Sequence, residues 1–156
     1  MNFLLSSGGL IFAVLGMTLT VVFPGIGSAK GVGMVGEAAS GLVIDEPDKF
    51  GKSLILQLLP ASQGLYGFVI AIMILGNLRP DLSLQQGLFI LVACLPMMIV
   101  GYPSAVAQAR ISTAGITILR RNEEQMTKTI IYTVMVETYA LLAFVTSIII
   151  LNTVVF

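Results

Sequence analysis

The chain has 156 residues, 56% of them hydrophobic and 10% charged, with a mean hydropathy of +0.99. That composition excludes an ordinary soluble domain and leaves room for about four membrane spans of about 20 residues each. Eight Lys and Arg balance eight Asp and Glu, and there is no histidine and one cysteine, Cys94; a basic face for nucleic acid, zinc chemistry, ordinary hydrolase catalysis and an intrachain disulfide are all disfavoured.

Apolar stretches at about residues 8–29, 53–78, 84–109 and 129–156 predict an all-α membrane protein with four transmembrane helices. The first stretch follows an uncharged N-terminal segment and carries no small-residue cleavage site, so it reads as a retained span and not a removed leader. Its end, GIGSAKGVGMVGEA, gathers Gly25, Gly27, Gly31, Gly33 and Gly36. Such small residues let helices approach closely, as the inner wall of a narrow ring requires. Residues Gly31 to Gly36 also satisfy GxGxxG. That motif binds dinucleotides only between a strand and a helix N-terminus, and here it continues an apolar helix.

In the second stretch Leu59, Ser62, Gln63 and Tyr66 fall at i, i+3, i+4 and i+7, on one helical face. Pro60 removes a backbone donor, leaves the Leu56 carbonyl without its helical partner and predicts a bend whose carbonyls can face a ligand. The third stretch places Ser104, Gln108 and Ser112 one turn apart, and Pro24, Pro96 and Pro103 predict bends in the first and third spans. In the fourth, Thr133 precedes Glu137, which sits about 13 Å of helix beyond Lys128. An ionised carboxylate at that depth costs at least about 2.5–3.5 kcal/mol without a partner, so Glu137 marks a functional site. Lys30 and Arg110, the nearest candidate counter-charges, read as lying toward the cytoplasmic boundary.

The connections fix an orientation. Lys49, Lys52, Arg120, Arg121 and Lys128 lie in the first and third loops, against Arg79 in the second. The positive-inside tendency therefore puts the loops near 43–52 and 120–128 in the cytoplasm and both termini outside. The chain also repeats. A shift of 80 lays Ala29-Lys30 on Ala109-Arg110, and a shift of 76 lays Lys52 on Lys128 and Phe68-Val69 on Phe144-Val145. The expected fold is two tandem, parallel-repeat helical hairpins, residues 1–80 and 81–156. Only the second carries the mid-membrane carboxylate, because Ala61 stands where Glu137 has its counterpart. One carboxylate with two glutamine oxygens, a hydroxyl and a carbonyl forms an all-oxygen cage suited to a monovalent hard cation, Na+ or Li+. A proton would need the acid alone.

With GIGSAKGVGMVGEAA, LILQLLPASQGLYGFVIA and MVETYALLAF in view, the whole chain closely resembles the duplicated proteolipid, subunit K, of bacterial sodium-translocating V-type ATPases. The resemblance implies copies assembled into a rotor ring in the cell membrane, in contact with lipid and turning against a stationary membrane subunit with an essential arginine. It further implies a central-stalk subunit at the cytoplasmic loops and soluble partners that hydrolyse ATP. The implied Na+ ligands are the Leu59 carbonyl, Ser62, Gln63, Gln108 and Glu137, with Tyr66 hydrogen-bonded to the glutamate. Some relatives carry threonine where Ser62 stands. No catalytic site or organic cofactor is expected, since the phosphate-loop pattern GxxxxGK[ST] is absent. A proton-carrying ring of the same architecture, or a self-standing tetraspan channel or structural membrane protein, are the alternative readings.

Overall fold

The structure is a computed structural model that describes residues 2–153, with side chains from residue 7 onward. Helix α1 spans Asn2–Asp45, α2 Phe50–Leu58, α3 Ser62–Leu75, α4 Leu84–Arg121 and α5 Met126–Thr153. Three single 3₁₀ turns, Pro47–Lys49, Leu59–Ala61 and Glu123–Gln125, complete the helical segments. Among the described residues, four helical stretches are long and apolar enough to cross a membrane: Ser7–Asp45, Pro47–Leu75, Leu84–Arg121 and Glu123–Thr153. Residues 154–156 of the fourth predicted span lie outside the described residues.

In lipid every backbone N–H and C=O needs an internal partner, which a continuous helix supplies. The elements begin and end where side chains or turns take over that task. At the start of α4, Ser83 accepts from the Gln86 backbone N–H and Gln86 accepts from the Ser83 N–H in return, a reciprocal cap. At the other end the Asn122 N–H bonds to the Ile118 carbonyl in extended conformation, and the chain turns into α5.

Helices α1 and α4 outrun the stretches predicted for them. The 44 residues of α1 extend about 66 Å at 1.5 Å per residue, well beyond a hydrocarbon layer of about 30 Å. Hydropathy marks where lipid ends, whereas a helix stops only when its hydrogen bonding does. Both helices also run on through Pro24, Pro96 and Pro103 as single elements. Pro60 is the proline that interrupts its span, splitting it into α2 and α3 at the Leu59–Ala61 turn.

Helices α1 and α4 form the central pair. Their contacts climb together: a Cβ on Gly87 would collide with the Gly9 carbonyl, and one on Gly31 would lie 3.1 Å from the Ala109 Cβ. Near the far end Arg120 donates to the Gly41 carbonyl at 2.6 Å. Residue numbers rise in the same direction along both helices, so the two hairpins are parallel copies. The α2–α3 segment packs against α1, and α5 against α4, as flanking helices.

Two apolar cores hold the bundle. One gathers Ile70, Ile74, Ile90, Met97 and Ala143 toward the α3–α4 connection, and the other Val35, Leu42, Leu56, Ile116 and Leu119 toward the first and third loops. Buried Gln63, Ser104 and Gln108 lie in a layer between them. Large apolar side chains such as Leu65, Tyr139 and Leu142 stand on the outer surface, as a lipid-facing or copy-facing wall requires.

The first and third loops meet at one end. Lys52 pairs with Glu123, Arg120 with Asp45 at 3.2 Å, and Lys49 donates to the Leu119 and Arg120 carbonyls at the C-terminus of α4. A cation there satisfies orphan carbonyls and complements the helix dipole. The hydrogen bond from Lys52 holds the Glu123 carboxyl below its usual range, assisted by the charges of Lys52 and Lys49.

Candidate functional site

The polar layer is assembled from three spans. Pro60 contributes first. Because the chain tightens into the 3₁₀ turn Leu59–Ala61, the Leu59 carbonyl accepts from the Ser62 N–H and from Ser62 Oγ at 3.2 Å, drawing a backbone oxygen and a hydroxyl together. Helix α3 then starts without a side-chain cap on its own segment. Its Gly64 N–H is met instead by Ser28 Oγ of α1, at 2.9 Å. Glycine suits position 64 because a Cβ there would come within 3.2 Å of that oxygen.

From this turn a hydrogen-bond chain runs to the acid. Ser62 Oγ lies 3.3 Å from Gln63 Oε1; Gln63 Nε2 donates to Gln108 Oε1 at 2.5 Å; Gln108 Nε2 donates to Glu137 Oε2 at 3.2 Å. The Tyr66 hydroxyl donates to the other carboxylate oxygen at 2.5 Å, and its ring stacks on Phe144 with centroids 5.1 Å apart. Gln63 and Gln108 are both 0% exposed. Buried amides of that kind need partners on every polar atom, which fixes the network's geometry. Glu137 and Tyr66 are half-buried, so the carboxylate forms the outer lip of the cluster.

All six residues singled out from the sequence therefore lie in one cluster: Leu59, Ser62, Gln63 and Tyr66 from the second span, Gln108 from α4 and Glu137 from α5. Two neighbouring expectations separate. Thr133 bonds back to the Thr129 carbonyl of its own helix at 2.8 Å, and Ser112 is buried with no hydrogen-bond partner among the described residues. Ser104, the first member of the same third-span stripe, accepts from Gln63 Nε2 at 3.2 Å. Its spacing was visible in the sequence, but nothing in the spacing said which of the three hydroxyl or amide positions would meet the second span.

Lys30 and Arg110 require a correction. Gly31 packs against Pro60, with 2.9 Å from its would-be Cβ to the Pro60 Cβ, and Arg110 follows Gln108 by two positions. Both cations thus sit at the depth of the polar layer and not near the loop end. Neither reaches Glu137: Lys30 donates to the Tyr102 hydroxyl at 3.2 Å and lies over that ring. The misplacement follows from the underestimated length of α1 and α4. Gly31 and Gly33 also part company, since nothing lies within 4 Å of a Cβ on Gly33.

A duplicated helical hairpin with one carboxylate held by neutral polar groups in the middle of the spans has the anatomy of an ion-carrying subunit of a rotary membrane ATPase. The family model for the ATP synthase C subunit matches the chain twice, at residues 15–74 and 91–150. The chain belongs to that family. The two matches carry residue 15 onto residue 91, the shift of 76 found in the sequence, so the duplication is real. Among curated relatives, the V-type sodium ATPase subunit K of Enterococcus hirae is 55% identical, over 94% of this chain and 95% of its own length. The A-type ATP synthase subunit K of Methanocaldococcus jannaschii is 32% identical, over 91% of this chain and 62% of its own length. The 16 kDa proteolipid of the human V-type proton ATPase is 29% identical, over 67% of this chain and 68% of its own length. The protein is a multi-pass membrane component of a rotor ring that carries ions, and ATP hydrolysis belongs to other subunits of the assembly.

Proposed function

We propose that the ring built from this chain carries Na+, bound by the Leu59 carbonyl, Ser62, Gln63, Gln108 and Glu137, with Tyr66 orienting the carboxylate. One observation supports this above the others: polar groups of the second span and α4 form one buried chain, from the Leu59 carbonyl through Ser62, Gln63 and Gln108, that ends on a single acid. A proton carrier needs only Glu137, and would leave the two fully buried glutamines without a part in carriage. Five oxygens with one negative charge match a hard monovalent cation, and the 55% identity to a subunit named for sodium supports the same ion.

The carriage mechanism follows from the cost of charge in lipid. Na+ arrives by an aqueous path at the boundary with a stationary membrane subunit and neutralises Glu137. The Tyr66 hydroxyl and the glutamine amides close around the carboxylate, and the neutral site crosses the lipid-facing arc of the ring. An arginine of the stationary subunit then competes for the carboxylate and releases the ion. The joined loops near 43–52 and 120–128 face the cytoplasm and seat the central stalk, which puts both termini outside; five basic residues at that end support the orientation.

Carbodiimides modify protonated carboxyls in apolar surroundings, so bound Na+ should shield Glu137. Labelling of the purified ring should map to Glu137 and slow as Na+ rises at constant pH and ionic strength. Equal protection by K+, or a rate set by pH alone, would transfer the assignment to a proton ring.

A further inference from the structure

We propose that Ser104, which is outside the ligand set, fixes the direction of the Gln63 amide, so that the site presents an oxygen and not an amino group to the cation. The proposal rests on the Na+ reading above and deepens it.

Ser104 lies on α4 one turn before Gln108 and is 7% exposed. Its hydroxyl has a single proton, and the Val136 carbonyl of α5, 3.4 Å away, is an acceptor placed to take it. A carbonyl can only accept, so the proton is committed and Ser104 turns lone pairs toward Gln63. A carboxamide has two unlike ends of nearly equal size, one donating and one accepting. Facing a pure acceptor, Gln63 must offer its amino end, and it does so at 3.2 Å. Its second amino proton goes to Gln108 Oε1 at 2.5 Å. With both protons engaged, Gln63 Oε1 is left beside Ser62 Oγ, on the side of the Leu59 carbonyl.

The far end of the chain imposes the same direction. An ionised Glu137 only accepts, so Gln108 gives it an amino proton and keeps its oxygen toward Gln63. That end changes during carriage, because the carboxylate is the group that loads, unloads and meets the stationary subunit. The Ser104 end is anchored on backbone and persists. Ser104 is therefore a positioning residue: without its hydroxyl, the Gln63 amide can turn over at little steric cost and set its amino group against the cation.

The test compares rings of the unaltered chain, Ser104→Ala, Ser104→Thr and Ser104→Cys, and reads the Na+ concentration that half-protects Glu137 from carbodiimide. Each variant is referenced to its own labelling rate without Na+. Ser104→Ala should raise that concentration about tenfold, the size of one lost hydrogen bond in an ion site. Ser104→Thr should return it to within about twofold, since the hydroxyl remains. Ser104→Cys, similar in size but a weak acceptor, should behave like alanine and stands in for it if the alanine ring does not assemble. A Ser104→Ala or Ser104→Cys midpoint unchanged from the unaltered ring overturns the proposal, as does a threonine variant no better than alanine, which would show a packing role. Absence of Na+ protection in the unaltered ring overturns the ion reading itself and the proposal with it.

Discussion

The two hairpins share a fold and differ in what they give the polar layer. The second supplies charge: Glu137 projects from α5, an unbroken helix of 28 residues, beside Gln108 of α4. The first supplies neutral oxygen, and it breaks a helix to do so. Pro60 turns its outer span into α2 and α3, which draws the Leu59 carbonyl and Ser62 together and sets Gln63 against Gln108 and Tyr66 against the acid. The two copies of the hairpin thus bring unlike groups to one site. A single hairpin must supply both charge and ligands; a pair can divide them, at half the number of carboxylates for the same number of helices.

The division can be attacked directly. Glu137→Gln keeps size but removes charge, and ion transport by the reconstituted complex should fall to background while the ring still assembles. Moving the acid to the other hairpin, with Ala61→Glu combined with Glu137→Ala, should not restore transport, because position 61 lies within the turn and Gln108 points to α5. Recovery of transport in the double variant would show that the hairpins are interchangeable.

The seam between the hairpins is the next most sensitive place. Gly87→Ala would drive a Cβ into the Gly9 carbonyl, a backbone atom that cannot swing aside. We expect a loss of about 1–3 kcal/mol or more, read as a lowered melting temperature of the chain in detergent. Gly33→Ala meets open space within one chain and should leave that melting temperature no lower. Loss of the ring, but not of the folded chain, in Gly33→Leu would locate position 33 at a contact between copies.

Pro60→Ala restores a backbone donor and should let α2 and α3 merge, withdrawing the Leu59 carbonyl. The half-protecting Na+ concentration should rise about three- to tenfold, on the scale of one weakened ligand. The equivalent change at Pro103, where α4 already runs on unbroken, should leave it nearly constant.

The smallest effect lies at the loop tips. Lys52 holds Glu123 ionised below the usual carboxyl range, so the pairing persists at neutral pH and is lost only as pH falls through that lowered value. Carboxyl-carbon resonances should show Glu123 titrating below the ordinary glutamate range, and Lys52→Ala should move it back up toward that range. Added salt should act in the same direction, since the pair is exposed.

Much of this was legible in the sequence, for physical reasons that also explain what was not. The number and order of spans follow from hydropathy, and the parallel repeat from matching residues along both halves. The site was legible because carboxylate and carboxamide groups are rare in lipid, so Gln63, Gln108 and Glu137 had few other uses there. Helix ends were not legible: α1 continues through Lys30 and Glu37 to Asp45 because charge does not stop a helix. Ser28 was missed because its partner is the backbone N–H of Gly64, which leaves no mark on a pattern of side chains. Ser104 was seen, but only the relative rotation of α3 and α4 shows that it, and not Ser112, meets Gln63.

The order of the ligands along the chain bears on biogenesis. Membrane proteins are made from the N-terminus, and the turn at Leu59–Ala61, then Gln63, then Gln108 are all synthesised before Glu137. The carboxylate is thus the last component to reach the bilayer. It enters beside α4 and α3, whose amides and Tyr66 hydroxyl stand ready to accept it, and never has to wait in hydrocarbon for a partner still in the ribosome. A circular permutant that placed the second hairpin first would reverse that sequence of events, and its acid would have to insert before most of the groups that solvate it.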